Sequence, residues 1–207
     1  MRENQPGNVQ ENAHIIETQA RRMAEIIRHY LSRTRDAARH FRAVDINTVV
    51  QNTLTLLDPV FRQRNVTVQP VLSQQLPVMQ GDSASLERVL INVLKNAVDA
   101  MDAGGTVTIT TRLVAPPETP HAGVQIVVTD TGVGIPAELL PQIFDLFMTT
   151  KAPGAGTGLG LALCQEIIKA HGGTITIASK VGQGTTGTIF LPTAGPQIPP
   201  SATEHQR

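Results

Sequence analysis

Among its 207 residues the chain has a single cysteine, no tryptophan, one tyrosine and no net charge. Each shortage removes a class of function. One cysteine, Cys164, leaves no internal disulfide and suits a reducing compartment. A neutral chain poor in aromatic rings lacks the basic face and the stacking platforms of a nucleic-acid binder, so no nucleic-acid partner is expected. No run approaches the roughly 18 apolar residues of a membrane helix. The opening MRENQPGNVQENA is polar, without the apolar stretch of a signal peptide. The expectation is a soluble, cytoplasmic chain that itself makes no membrane contact, while a longer parent protein anchored in a membrane stays compatible with it. Length and a hydrophobic share of 41% fit one ordinary domain with an appendage.

What the chain does have is glycine in short clusters. DTGVGIP runs from Asp130 to Pro136, and GTGLGL from Gly156 to Leu161. Each follows apolar sequence, and the second opens onto a helical pattern. Loops of this kind bring main-chain N–H groups close to a ligand, because glycine has no Cβ to hold it away. A glycine turn feeding a helix start adds unpaired N–H groups and the positive end of the helix dipole, which suits phosphates.

Around these loops the periodicity assigns elements. Residues 1–11 read as disordered. From His14 to Arg42 the pattern is helical, with Ile16, Ala20, Met23, Ile27, Tyr30 and Thr34 on one stripe and arginines opposite. Such a long two-faced helix at the chain's edge asks for a partner: a second copy in a helical bundle, or its own domain. Asp45 caps a helix over 46–64 with Val49, Val50, Leu54, Leu57, Val60 and Phe61 inward. A strand over 65–71 and an extended stretch over 78–81 follow. Asp82 or Ser83 caps a helix from Ala84 to about Met101. Strands are expected over 107–113, over 124–129 ending at Asp130, around Ile175 and Ile177, and over 188–191. A short helix is expected over 136–140 and a longer one over 157–171, stopped by Gly172 and Gly173. The segment 144–155 reads as irregular, a suitable lid, and 193–207 as a disordered tail.

On the helix from Ala84, Asn92, Asn96 and Asp99 share one face at i, i+4 and i+7. Asparagine suits a helix interior poorly, so the pair suggests work, although a solvated polar face would look the same. Oxygen ligands of this kind suit magnesium, which keeps several waters and binds through few protein groups plus phosphates. Asp130 at a strand end is a natural acceptor for an exocyclic amine such as that of adenine. Taken singly, DTG reads as a turn, GTGLGL as a hinge and Lys151 as a surface lysine. In this order, with GQGTTG before a final strand, they are much harder to obtain by chance.

As a set these motifs resemble the ATP-binding catalytic domain of bacterial sensor histidine kinases, within the superfamily of gyrase, MutL and Hsp90. NVLKNAVDAM looks like the family's N box, DTGVGI its first glycine box and IFDLFMTTK its phenylalanine box. GTGLGL resembles the second glycine box, and GQGTTGTIFLP the third. The resemblance implies an α+β fold, a two-layer sandwich with a mixed sheet over about 45–192, preceded by a dimerisation helix over 12–42 that resembles the second helix of a hairpin. It implies ATP and Mg2+ as cofactors, with Asn96 and Asn92 toward the metal and phosphates and Asp99 beside them. Asp130 would take the adenine amine, in a pocket shaped by Gly132, Gly134, Ile135 and Thr185. Lys151 and the loop Gly156, Thr157, Gly158, Leu159 and Gly160 would hold the phosphates. Gly187 departs from the pattern, standing where the family often has an aromatic residue.

Asn92 also separates relatives. Gyrase and MutL carry a glutamate four residues before the metal asparagine, where it activates water; an amide cannot serve as a general base. Phosphoryl transfer to a protein is therefore favoured over hydrolysis. The family's acceptor histidine is followed by an acidic residue, and none of His14, His29, His40, His121, His171 and His205 has that context. The expectation is a kinase core, homodimeric through its first helix, that phosphorylates a histidine outside this chain for relay to a response regulator receiver domain. Two alternatives stay open at this point: a nucleotide-loaded dimerising scaffold, and a serine/threonine kinase of the same superfamily.

Overall fold

Two aspartates start the two long helices of the computed structural model, which describes residues 41–119, 121–151 and 156–194. Residues 14–40 of the expected first helix, the residues beyond 194 and the lid centre at 152–155 lie outside the described residues. Helix α1 spans Ile46–Gln63; Asp45, in extended backbone, accepts hydrogen bonds from the N–H of Asn47 at 2.8 Å and of Thr48 at 3.3 Å. Helix α2 spans Ser83–Asp99, and Asp82 rather than Ser83 is its cap, accepting from Ala84 N at 3.1 Å and Ser85 N at 3.4 Å. Each cap satisfies N–H groups that the helix leaves unpaired.

The chain forms two compact units, one of residues 40–141 with 164–207, the other including 142–163. In the first, strands β2 (Val66–Leu72), β4 (Gly105–Val114), β5 (Gly123–Asp130), β6 (Thr174–Lys180) and β7 (Gly184–Pro192) make one sheet in the order β2-β4-β5-β7-β6. The β2–β4 pair is parallel and the others are antiparallel, so the sheet is mixed. Two short strands, β1 (Arg42–Val44) and β3 (Met79–Gly81), pair separately.

One face of the sheet is apolar because strand side chains alternate. Val107 and Ile109 of β4, Val124, Ile126 and Val128 of β5, and Ile189 and Leu191 of β7 are all buried. Against them lie the apolar faces of the helices: Ile46, Val49, Leu86, Val89 and Leu90 line a small apolar gap together with Ile126, Ile168, Ile189 and Leu191. Each such side chain contributes about 1.5–3 kcal/mol on leaving water. This two-layer α+β arrangement is the expected one.

Several boundaries differ from the sequence reading. Arg42 belongs to β1 and not to a helix, because Arg42–Val44 pairs with Met79–Gly81 and buries Val44. The short helix expected over 136–140 is instead turns ending in one 3-10 turn, Leu140–Gln142; five residues give too few hydrogen bonds to offset helix nucleation. The last strand starts at Gly184 rather than at 188, since the hairpin loop is confined to 181–183 between the paired Lys180 and Gly184. In α1, Leu54 and Val60 are only half-buried, and Thr53 takes a fully buried place with its hydroxyl donating to Val49 O at 2.8 Å. Gly187 opens no void, because Ile177 Cδ1 and Val93 Cγ1 lie 3.2 and 3.6 Å from where its Cβ would stand.

Candidate functional site

Strand parity determines the fate of Asp130. It lies two residues beyond Val128 and four beyond Ile126 on β5, so it shares their inward face and is 5% exposed. Its Oδ1 accepts hydrogen bonds from Gly132 N at 2.8 Å and Thr185 N at 3.1 Å. Among the described residues no partner meets Oδ2, so the carboxylate is held by one oxygen. Burial pushes the Asp130 carboxyl above its ordinary value, and the two backbone hydrogen bonds act against that rise.

The segment after Asp130 is tied on both sides. Val133 N donates to Ala100 O at 3.0 Å, which sets the first glycine box against the C-terminal end of α2, one turn beyond Asn96. Val133 O accepts from Gly182 N at 2.8 Å, and Ile135 N donates to Ser179 Oγ at 2.8 Å. Gly134 has a φ of 74° and packs against the Lys180 carbonyl, where a Cβ would collide. The structure thus gathers Asp130, Gly132, Gly134, Ile135 and Thr185 around one buried carboxylate.

Asn92 and Asn96 stand one turn apart on α2 and both are half-buried. The Asn92 side chain is hydrogen-bonded to the Cys164 thiol; burial pushes that thiol up to about 12, which Asn92 partly opposes. Cys164 is thus inert as a nucleophile at neutral pH. Asp99 is exposed, with an oxygen 3.9 Å from the Arg64 guanidinium, which also lies 3.7 Å from Asp102. Exposed pairs of this kind contribute little to stability.

In the unit containing 142–163, the remaining predicted residues form their own cluster. Lys151 N donates to Thr149 Oγ1 at 3.2 Å, and Gly156 packs against Thr149 and the Lys151 side chain. Gly158 has a φ of 67°, and its carbonyl accepts from Phe147 N at 2.9 Å, so the second glycine box is fastened to the phenylalanine box. That left-handed residue explains why helix α3 (Gly160–Ala170) starts at Gly160 and not at Thr157. Leu159 O accepts from Leu163 N at 3.0 Å, and the N–H groups at this helix start suit an anion.

Two residues of the architecture have roles that the sequence reading did not assign. Ser179 follows Ile175 and Ile177 on their face of β6, a polar residue where an apolar one continues the pattern, and that break was the available signal. His171 is fully buried; its Nδ1 lies 2.8 Å from Ile167 O, and its Nε2 accepts from Asp82 N at 3.0 Å. It links the end of α3 to the cap of α2, a contact between positions 89 apart that no local pattern announces.

Residues 81–195 match the family of histidine kinase-, DNA gyrase B-, and HSP90-like ATPases. Sensor histidine kinase ZraS of Escherichia coli (strain K12) is 35% identical over 186 residues, covering 90% of this chain and 38% of that protein. Signal transduction histidine-protein kinase AtoS of the same organism is 38% identical over 168 residues, covering 81% of this chain and 26% of that protein. The chain therefore spans well under half the length of these curated relatives. Among solved structures, the catalytic domain of histidine kinase ThkA is similar with a TM-score of 0.64 and 28% identity, covering 75% of this chain and 97% of that one. ThkA in complex with response regulator protein TrrA gives a TM-score of 0.69 at 23% identity, covering 93% of this chain and 53% of that one, a likeness of fold. With more than half of its residues inside the family match, on a mixed sheet that brings the first and third glycine boxes to one carboxylate, the chain belongs to the histidine kinase-, DNA gyrase B- and HSP90-like ATPase family.

Proposed function

We propose that this chain is the catalytic core of a sensor histidine kinase, which binds Mg-ATP and transfers the γ-phosphoryl group to a histidine outside this chain. The observation that carries the nucleotide reading is Asp130: a buried carboxylate with Oδ1 fixed by two backbone amides and Oδ2 without a partner among the described residues. That geometry suits the amine edge of adenine. Gly132, Gly134, Ile135 and Thr185 shape the pocket; Lys151 and the loop Gly156, Thr157, Gly158, Leu159 and Gly160 hold the phosphates.

The donor set on α2 fits magnesium. No group of three or more His, Cys, Asp or Glu able to hold a metal occurs among the described residues. Asn96 and Asn92 offer carboxamide oxygens on one half-buried helix face, with Asp99 one turn on. Such a sparse set of hard ligands suits an ion that keeps waters and shares phosphate oxygens. When bound, the ion supplies charge neutralisation to the phosphates; Asn92, being an amide, cannot deprotonate water, which favours transfer over hydrolysis. The curated relatives named as histidine kinases support the same choice.

Neither described histidine suits the acceptor role. His171 is buried with both ring nitrogens engaged, and His121 lies in the loop between β4 and β5. The acceptor, the homodimer through the first helix and relay to a receiver domain are parts of the proposal, the last supported by the ThkA complex with its regulator. The test supplies a separate acceptor hairpin carrying a histidine, with γ-labelled ATP. Acid-labile label on the hairpin supports the kinase. Acid-stable label on serine or threonine, or no label at saturating ATP, contradicts it.

A further inference from the structure

A single hydroxyl joins the segments on either side of the adenine acceptor. Ser179 Oγ has one proton and two acceptor positions, and all three are used. It donates to Gly184 O at 2.9 Å, accepts from Ile135 N at 2.8 Å, and meets Thr185 Oγ1 at 2.9 Å. Gly184 and Thr185 open β7, and Ile135 ends the first glycine box. The next link is Thr185 N, which donates to Asp130 Oδ1 at 3.1 Å. Ser179 thus holds the backbone that holds the carboxylate.

We infer that Ser179 is a positioning residue for nucleotide recognition: through Thr185 and Ile135 it fixes the orientation of the Asp130 carboxylate, and with it the preference for a purine bearing an amine. The inference rests on the adenine reading of Asp130 given above. A hydrogen bond discriminates only while its acceptor is held in direction. Without the Ser179 hydroxyl, Thr185 loses its side-chain tether and Ile135 N its acceptor. Asp130 then keeps one firm anchor, Gly132 N, about which its free oxygen can swing.

The experiment measures dissociation constants for ATP and for purine riboside triphosphate, which lacks the 6-amino group. In the wild type ATP binds more tightly; equal affinities remove the adenine reading and this role with it. Given that preference, Ser179→Ala lowers ATP affinity about 3- to 10-fold, one hydrogen bond's worth, and leaves the analogue nearly unchanged, so the preference shrinks. Ser179→Thr keeps the hydroxyl and restores the preference. Equal weakening of both nucleotides, or a preference kept in full, shows a merely structural serine and overturns the inference. Should Ser179→Ala fail to fold, Thr185→Val decides, since it removes the hydroxyl that meets Ser179 and keeps the N–H on Asp130. A reduced preference then supports the role, and the wild-type preference overturns it.

Discussion

Asp130 meets two opposed demands. Recognition of an amine is best served by an ionised acceptor, while burial favours the neutral acid and raises its pKa. A carboxyl raised on folding stabilises the protein fully below its unfolded value, and this contribution is lost as pH rises through the folded value. At neutral pH the ionised group is therefore a cost. Asp130→Asn keeps an oxygen for Gly132 N and Thr185 N and removes that cost. Thermal unfolding should show a melting temperature unchanged or higher, while ATP binding weakens by about 1.5–3 kcal/mol, the worth of a charged hydrogen bond. Nucleotide affinity of the wild type should also fall on acidification, beginning above the ordinary carboxylate value of 3.8, because the raised group takes up its proton there. Gly134→Ala tests the neighbouring backbone. The left-handed conformation alone costs a non-glycine residue about 1–2 kcal/mol, and the Lys180 carbonyl adds a collision, so denaturant unfolding should show at least that loss. Asp130 and the glycines were legible at this scale because each needs a particular residue type in a particular turn. The role of Ser179 was not, since one of its partners, Ile135, lies far away in sequence on the first glycine box.

Elements were read correctly where chemistry marks their ends. Asp45 and Asp82 cap α1 and α2, and glycines after Ala170 stop α3. The misses have physical causes. A three-residue strand such as β1 carries no periodicity, and the start of α3 is set by the backbone angle at Gly158. His171 shows the same limit, since it joins two helices. His171→Ala would leave Asp82 N–H without its acceptor and open a cavity beside the Phe41 ring, whose centroid is 4.9 Å from the imidazole. The expected loss is about 2–4 kcal/mol in chemical unfolding, and a change below 0.5 kcal/mol would contradict the linking role. Gly187→Ala, by contrast, should be nearly neutral, because the nearest atom to its Cβ is the movable end of Ile177.

For the whole molecule, the family was legible from the order of its boxes, and the mixed sheet through that resemblance, which the order of elements fits. The first helix and its pairing rest on residues outside those described, so dimerisation is tested by deletion. The cut belongs after residue 40, because Phe41 packs on His171 and Arg42 opens β1. The shortened chain should be a monomer by light scattering and still bind ATP; a persistent dimer would contradict the use of the first helix. The nucleotide site is tested most directly by calorimetric titration of ATP, with and without magnesium, on the wild type and on Asn96→Ala. Magnesium should tighten ATP binding by the wild type, and Asn96→Ala should lose that tightening. Absence of ATP binding by the folded wild type, or magnesium dependence undiminished in Asn96→Ala, would contradict the proposed site.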